Sequence, residues 1–136
     1  MTILKRLLLI GVGGALYAAI ETVARGYTHW TMFVLGGVCF WLVGGINEIT
    51  PKDWAITTQA LVGAFLITFA ELVAGVVLNI GLGWNVWDYS DMPYNLWGQI
   101  CVENSFYWLL LSVVAIVLDD WLRAVWFDEP KPKYHL

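Results

Sequence analysis

The chain has 136 residues, 60% of them hydrophobic and 15% aromatic, with a mean hydropathy of +0.69. Only 13% are charged, against about a quarter in a soluble domain, which excludes an ordinary water-soluble globule. A net charge of −4, from 7 basic and 11 acidic residues, leaves no basic surface for nucleic acid.

The start, MTILKRLLLIGVGGALYAAIE, has the basic beginning and apolar run of a signal peptide. Glu21 interrupts that run and three more long apolar segments follow, so it reads as a retained first transmembrane helix. A helix needs about 20 residues to cross a bilayer. The first span is predicted from Leu7 to Ala24, with Gly26 as its C-cap, and the second from His29 to Ile46. The third runs from Pro51 to Ile80, with Thr50 as N-cap, Pro51 at the first helical position and Asp53 in the first turn. Gly81 and Gly83 close it, and the fourth runs from Leu96 to Leu118. The expected fold is therefore all-α: one transmembrane domain of four helices over 1–127, with a short polar, unstructured cytoplasmic tail at 128–136.

Basic residues orient the chain. With the N-terminus in the cytoplasm, Lys5, Arg6, Lys52, Arg123, Lys131 and Lys133 are inside and only Arg25 is outside. The positive-inside rule then places both termini in the cytoplasm of a multi-pass protein of the cell (inner) membrane. Gly11, Gly14, Gly36, Gly37, Gly44, Gly45, Gly63, Ala64, Ala70 and Ala74 mark predicted helix seams, where small residues let backbones approach. Cys39 and Cys101 lie in apolar runs as buried thiols, forming neither a metal motif nor a disulfide framework. No cofactor motif is present.

The longest polar interruption is WNVWDYSDMPYNLWGQICVE, Trp84–Glu103. It lacks Lys and Arg, carries Asp88, Asp91, Asn95, Gln99 and Glu103, and sets them among Trp84, Trp87, Tyr89, Tyr94 and Trp97. We read it as an extracytoplasmic, re-entrant or interfacial loop leading into the last helix. Interfacial belts account for Trp30, Trp54, Trp84 and Trp97. They do not account for Asp88 between Trp87 and Tyr89.

Three acids fall inside the predicted spans: Glu21, Glu71 and Glu103. A charge at the bilayer centre costs about 2.5–3.5 kcal/mol on insertion scales. Arg25, four residues after Glu21, can pair with it. Glu71 has no basic residue within a turn and needs a tertiary partner, a proton or a ligand. Each acid lies in the outer half of its helix, so the three can meet beneath Asp88 and Asp91. Glu21, Glu71, Asp88 and Glu103 are the candidate ligand- or proton-binding residues, with Arg25, Trp87, Tyr89, Gln99 and Asn104 in support. Partners for the buried acids include Asn79, Gln99, Asn104 or a tyrosine, and His29 can join from the outer surface. Glu48, Asp119, Asp120 and the tail's His135 read as solvated. AAIETVARG (18–26) and FAELVAG (69–75) repeat a Glu–Val–Ala–Gly order, suggesting two parallel two-helix halves.

With Trp87-Asp88-Tyr89-Ser90, then Gly98 and Glu103, and with the Glu21 and Glu71–Gly75 segments, the chain resembles the CmpB-like "putative ABC-transporter type IV" family. That resemblance implies a four-helix membrane fold with Glu21, Glu71, Asp88 and Glu103 as signature polar positions. The sequence has no GxxxxGK[ST] phosphate loop of its own. The leading functional expectation is a transport or permeation component, working as a homo-oligomer or beside a membrane partner, with a small cation, amine or lipid as ligand. A second is an intramembrane enzyme. Trp87, Asp88, Gly98, Glu103 and Phe106 loosely resemble the small membrane lycopene cyclase domains, although Asn104 stands where those have a paired acid. There an acid would protonate an isoprenoid double bond. A third is a non-catalytic assembly or lysis factor, which needs no buried acids at set depths.

Overall fold

A computed structural model describes residues 2–51 and 53–134. Lys52, counted above among the cytoplasmic charges, and His135, expected to be solvated, lie outside the described residues. Helix α1 (Ile3–Arg25) is capped by the Thr2 hydroxyl, which accepts from Lys5 N, and ends at Gly26 in the left-handed region (φ +82°). Helix α2 (Trp30–Gly44) starts at His29, whose ring accepts from Thr31 N, and a single turn, α3 (Ile46–Ile49), follows. Helix α4 (Ile56–Gly75) widens into a π-helical segment, Val76–Gly81. After the loop come β1 (Asn95–Leu96), β2 (Ile100–Cys101) and α5 (Val102–Phe127).

Among the described residues, three stretches are long and apolar enough to cross a membrane: Ile3–Arg25, Trp30–Ile49 and Ile56–Gly81. The chain is thus an all-helical, multi-pass membrane protein apart from one two-stranded hairpin. Helix α5 is not among the three; Glu103, Asp119, Asp120 and Arg123 set charge near both its ends.

Two predicted helix starts are corrected. The third helix begins at Ile56, not Pro51. Thr50 is the C-cap of α3, its hydroxyl donating to Ile46 O, and Pro51 O closes a turn with Trp54 N, so Asp53 is in no first turn. The last helix begins at Val102, not Leu96, because Leu96 pairs with Ile100 in the hairpin. Trp97 (φ +55°) and Gly98 (φ +71°) turn that hairpin, with Gln99 N donating to Leu96 O.

Helix α2 is the spine, packing on α1, α4 and α5, while α4 also packs on α5. Glycine makes these approaches possible. A Cβ on Gly37 would overlap the Ile10 backbone carbonyl, one on Gly36 would meet Tyr17, and one on Gly63 would meet Ser112 and Val43. Gly11, grouped with the seam residues above, faces open space instead. Leu9, Phe40 and Leu122 fill one layer, Val43, Ile46 and Ile116 another, and Met32, Val86 and Trp87 a third under the polar loop. Phe65, Leu61 and Val114 face outward, as a lipid-solvated surface requires.

Candidate functional site: buried carboxylates beneath the polar loop

The C-terminal ends of α1 and α4 meet the same loop. Arg25 donates to Val86 O at 3.2 Å, and Gly75 leaves room for Gln99 against α4. The π-helical segment adds Asn79, which accepts from Val86 N at 2.7 Å and donates to Gln99 Oε1 at 2.8 Å. Widened turns of this kind re-aim side chains and recur at functional sites. Gln99, buried, also donates to Trp97 O, and its own carbonyl accepts from Trp87 Nε1 at 3.0 Å. Trp87 thereby sinks against Met32 and Tyr89 turns inward.

Glu71 lies below this clamp, only 2% exposed. Its Oε2 accepts from the Tyr89 hydroxyl at 3.0 Å and its Oε1 from Trp108 Nε1 at 3.2 Å. Both donors are neutral, and among the described residues no ion pair involves Glu71. Burial, then the adjacent Glu71 carboxylate, push the Tyr89 phenol far above the ordinary tyrosine range, so it remains a donor. Glu21 is 5% exposed. Its Oε1 accepts from Arg25 Nη1 at 2.7 Å, the pairing expected from the i, i+4 spacing, while its Oε2 is buried without a partner.

Two adjoining spaces flank these acids. An open chamber of mixed character presents Glu21, Arg25, Asp88, Tyr89, Asn104 and Tyr107 among apolar side chains such as Ile20 and Leu111. A nearly apolar cleft of about 750 Å³, including its open side, runs between α1 and α5 from Leu16 and Ile20 to Val114 and Leu118, with Glu71 in its wall. Tyr17, Met32 and Trp108 belong to both. Tyr17 stacks on Trp108 with centroids 5.8 Å apart.

The remaining candidates separate. Asp88 lies at the chamber rim, exposed, and caps its own turn by accepting from Ser90 N at 2.9 Å. Hydrogen bonds from Ser90 hold its carboxyl below the usual aspartate range. Asn104 reaches the chamber. Glu103 was expected two turns into its helix at the depth of the other acids. It is exposed in the first turn of α5 and accepts from the Tyr107 hydroxyl at 2.9 Å. The later start of α5 moves it to the helix end. His29 is occupied with Thr31 and with the rings of Trp30 and Trp84.

A second polar cluster sits at the other end of the bundle, where sequence reading expected solvated charge. Asp119 and Asp120 are 0% and 3% exposed, and Arg123 is 6% exposed. Arg123 Nε donates to Asp119 Oδ2 at 2.7 Å, and Asn47 Nδ2 donates to Asp120 Oδ2 at 2.6 Å. At the start of the tail, expected to be unstructured, Asp128 adopts φ +56° at the helix end, and the Tyr134 hydroxyl donates to Asp120 at 2.6 Å. Only the i, i+4 spacing of Asp119 and Arg123 hinted at this. The covering surface is Gly44, whose missing side chain admits Asp119 against α2. Glu48 is half-exposed, as expected, 3.9 Å from Arg123.

Fold and site together define a small polytopic membrane protein with a buried carboxylate pair under a polar loop. The family described as "Putative ABC-transporter type IV" matches residues 8–131, and the chain belongs to it. Neither a curated protein nor a solved structure matches the chain.

Proposed function

We propose that this protein is the membrane-embedded component of a transport system, with its cargo site at Glu21 and Glu71 open to the extracytoplasmic side. The observation that carries the reading is Glu71: a nearly inaccessible carboxylate among apolar side chains, held by two neutral donors and no cation. An acid in that setting is costly to keep for structure alone, and intramembrane acids mark ion and substrate pathways. Membership of a family described as transporters favours the same conclusion. In this reading α5 is the fourth span, both termini are cytoplasmic, and the protein works as an oligomer or with a partner. Asp88 and Asn104 stand at the entrance.

Native mass spectrometry of protein taken directly from membranes tests this, comparing wild type with Glu71→Gln. The expected result is a specific bound molecule in the wild type that the variant lacks. Identical bound species in two equally folded samples would make Glu71 structural and remove the reading.

The intramembrane enzyme is the second reading, favoured by Glu71 lying against Trp108 beside an apolar cleft. Glu71, rather than the exposed Glu103, would then be the general acid. A lipid product formed by the wild type and not by Glu71→Gln distinguishes it from transport.

A further inference from the structure

The chamber and the cleft adjoin, sharing Tyr17, Ile20, Met32, Trp108 and Leu111 in their walls, and their two chemistries suggest what fills them. The upper part presents carboxylates, and the lower part is apolar and opens sideways between α1 and α5. Those two helices pack mainly on α2 and α4 rather than on each other. Leu16 and Val114, at the sides of the opening, are exposed. In a bilayer that opening faces acyl chains, so a ligand can enter from the membrane without crossing the polar loop.

The head of such a ligand is constrained by charge. Glu21 lines the chamber; its Oε2 is buried without a hydrogen-bond partner, and the neutral Tyr17 phenol lies beside the carboxylate. Glu71 has only neutral donors, and Asp88 adds a further acid at the rim. Among the described residues, the sole basic one in the chamber lining is Arg25. Its Nη1 is committed to Glu21, and its Nη2 to Tyr27 and to Val86 O. That leaves the chamber an acceptor of protons and cations and a poor host for phosphate or carboxylate. We infer that the space between α1 and α5 binds a single-chain amphiphilic amine, with its ammonium group at Glu21 and Glu71 and its chain in the lateral cleft. This rests on the reading of Glu21 and Glu71 as a cargo site and names the cargo class.

The bilayer is as apolar as the cleft, so moving the chain from lipid to protein gains little. The head therefore sets affinity and the tail sets access.

The probe is dodecylamine with a diazirine at the end of its chain, photolabelling wild-type protein in phosphatidylcholine nanodiscs. Labelled peptides from α1 around Leu16–Ile20 and from α5 around Leu111–Leu118 are expected. Unlabelled dodecylamine should compete about 10- to 100-fold better than dodecanol, the equivalent of one charge-assisted hydrogen bond. Glu21→Gln should weaken labelling by a similar factor. Val114→Trp, changed at an exposed rim position, should block labelling of α1 while leaving helicity and thermal unfolding unchanged.

Equal competition by dodecanol would overturn the amine assignment, and equal competition by added phosphatidylethanolamine, a two-chain lipid whose head is itself a primary ammonium, would overturn the single-chain assignment. Wild-type labelling in a folded Val114→Trp variant would overturn the lateral cleft. Competition by methylamine at the same strength as dodecylamine would overturn the amphiphile while leaving a carboxylate cargo site in place. Diffuse labelling indifferent to both Glu21→Gln and Glu71→Gln would remove the amphiphile and the cargo site together.

Discussion

The Tyr89 hydroxyl lies 3.0 Å from Glu71 Oε2, joining the polar loop to the middle of the bundle. With Trp108 on the other oxygen, Glu71 is satisfied from two directions by groups far apart in sequence. Removing one donor strands a buried acceptor. Tyr89→Phe should therefore destabilise the folded protein by about 1.5–3 kcal/mol, read as a lowered unfolding midpoint in detergent. An unchanged midpoint would mean that water or a ligand replaces the hydroxyl.

Gly98 controls whether Tyr89 can reach that position. It has φ +71°, its carbonyl accepts from Tyr89 N at 2.7 Å, and an added Cβ would lie 3.0 Å from Asp88 Oδ1. Gly98→Ala should cost about 1–2 kcal/mol for the left-handed backbone alone. Hydrogen exchange should quicken at residues 86–101 before it quickens anywhere in α1 or α2.

The Asp119–Arg123 pair is buried at the opposite end. Breaking a buried pair from one side leaves an uncompensated charge, typically at about 3–5 kcal/mol. Arg123→Gln alone should thus destabilise more than Arg123→Gln combined with Asp119→Asn. A double-mutant cycle by denaturant titration checks the order, and strictly additive effects would show that the two groups are not coupled.

Glycine position, not glycine content, should decide the seam mutants. Gly37→Ala drives a methyl into the Ile10 carbonyl and should cost about 1–3 kcal/mol. Gly11 faces open space, so Gly11→Ala should be neutral or stabilising by up to about 1 kcal/mol through helix propensity. Thermal unfolding of the two variants side by side is sufficient, and equal losses would contradict the packing described.

The Asp88 turn should resist acid. Its carboxyl is held below the usual value by Ser90, so the turn's contribution is fully present above the unfolded aspartate pKa of about 3.9. It is lost only as pH falls through the lower, folded value. Ser90 amide exchange, corrected for its intrinsic pH dependence, should show constant protection from neutral pH down to about 4. Protection lost at pH 5–6 would mean that the carboxylate does not hold the turn.

Much of this molecule follows from the one-dimensional pattern. Long apolar runs, sparse charge and the Gly26 cap mark helices that can cross a membrane, because hydrophobicity and helix length are local quantities. The Glu21–Arg25 pair is legible for the same reason, since four residues is one helical turn. So is the isolation of Glu71 from any basic neighbour. Only the tertiary structure decided what meets Glu71, because Tyr89 and Trp108 reach it through a hairpin whose Trp97–Gly98 turn delays the last helix to Val102. That delay carried Glu103 out of the buried set. Likewise, Asp119 and Asp120 read as surface charge until Gly44, Asn47 and Tyr134 are seen to close over them. Burial is a property of the surfaces that come together, and sequence spacing along one helix does not contain it.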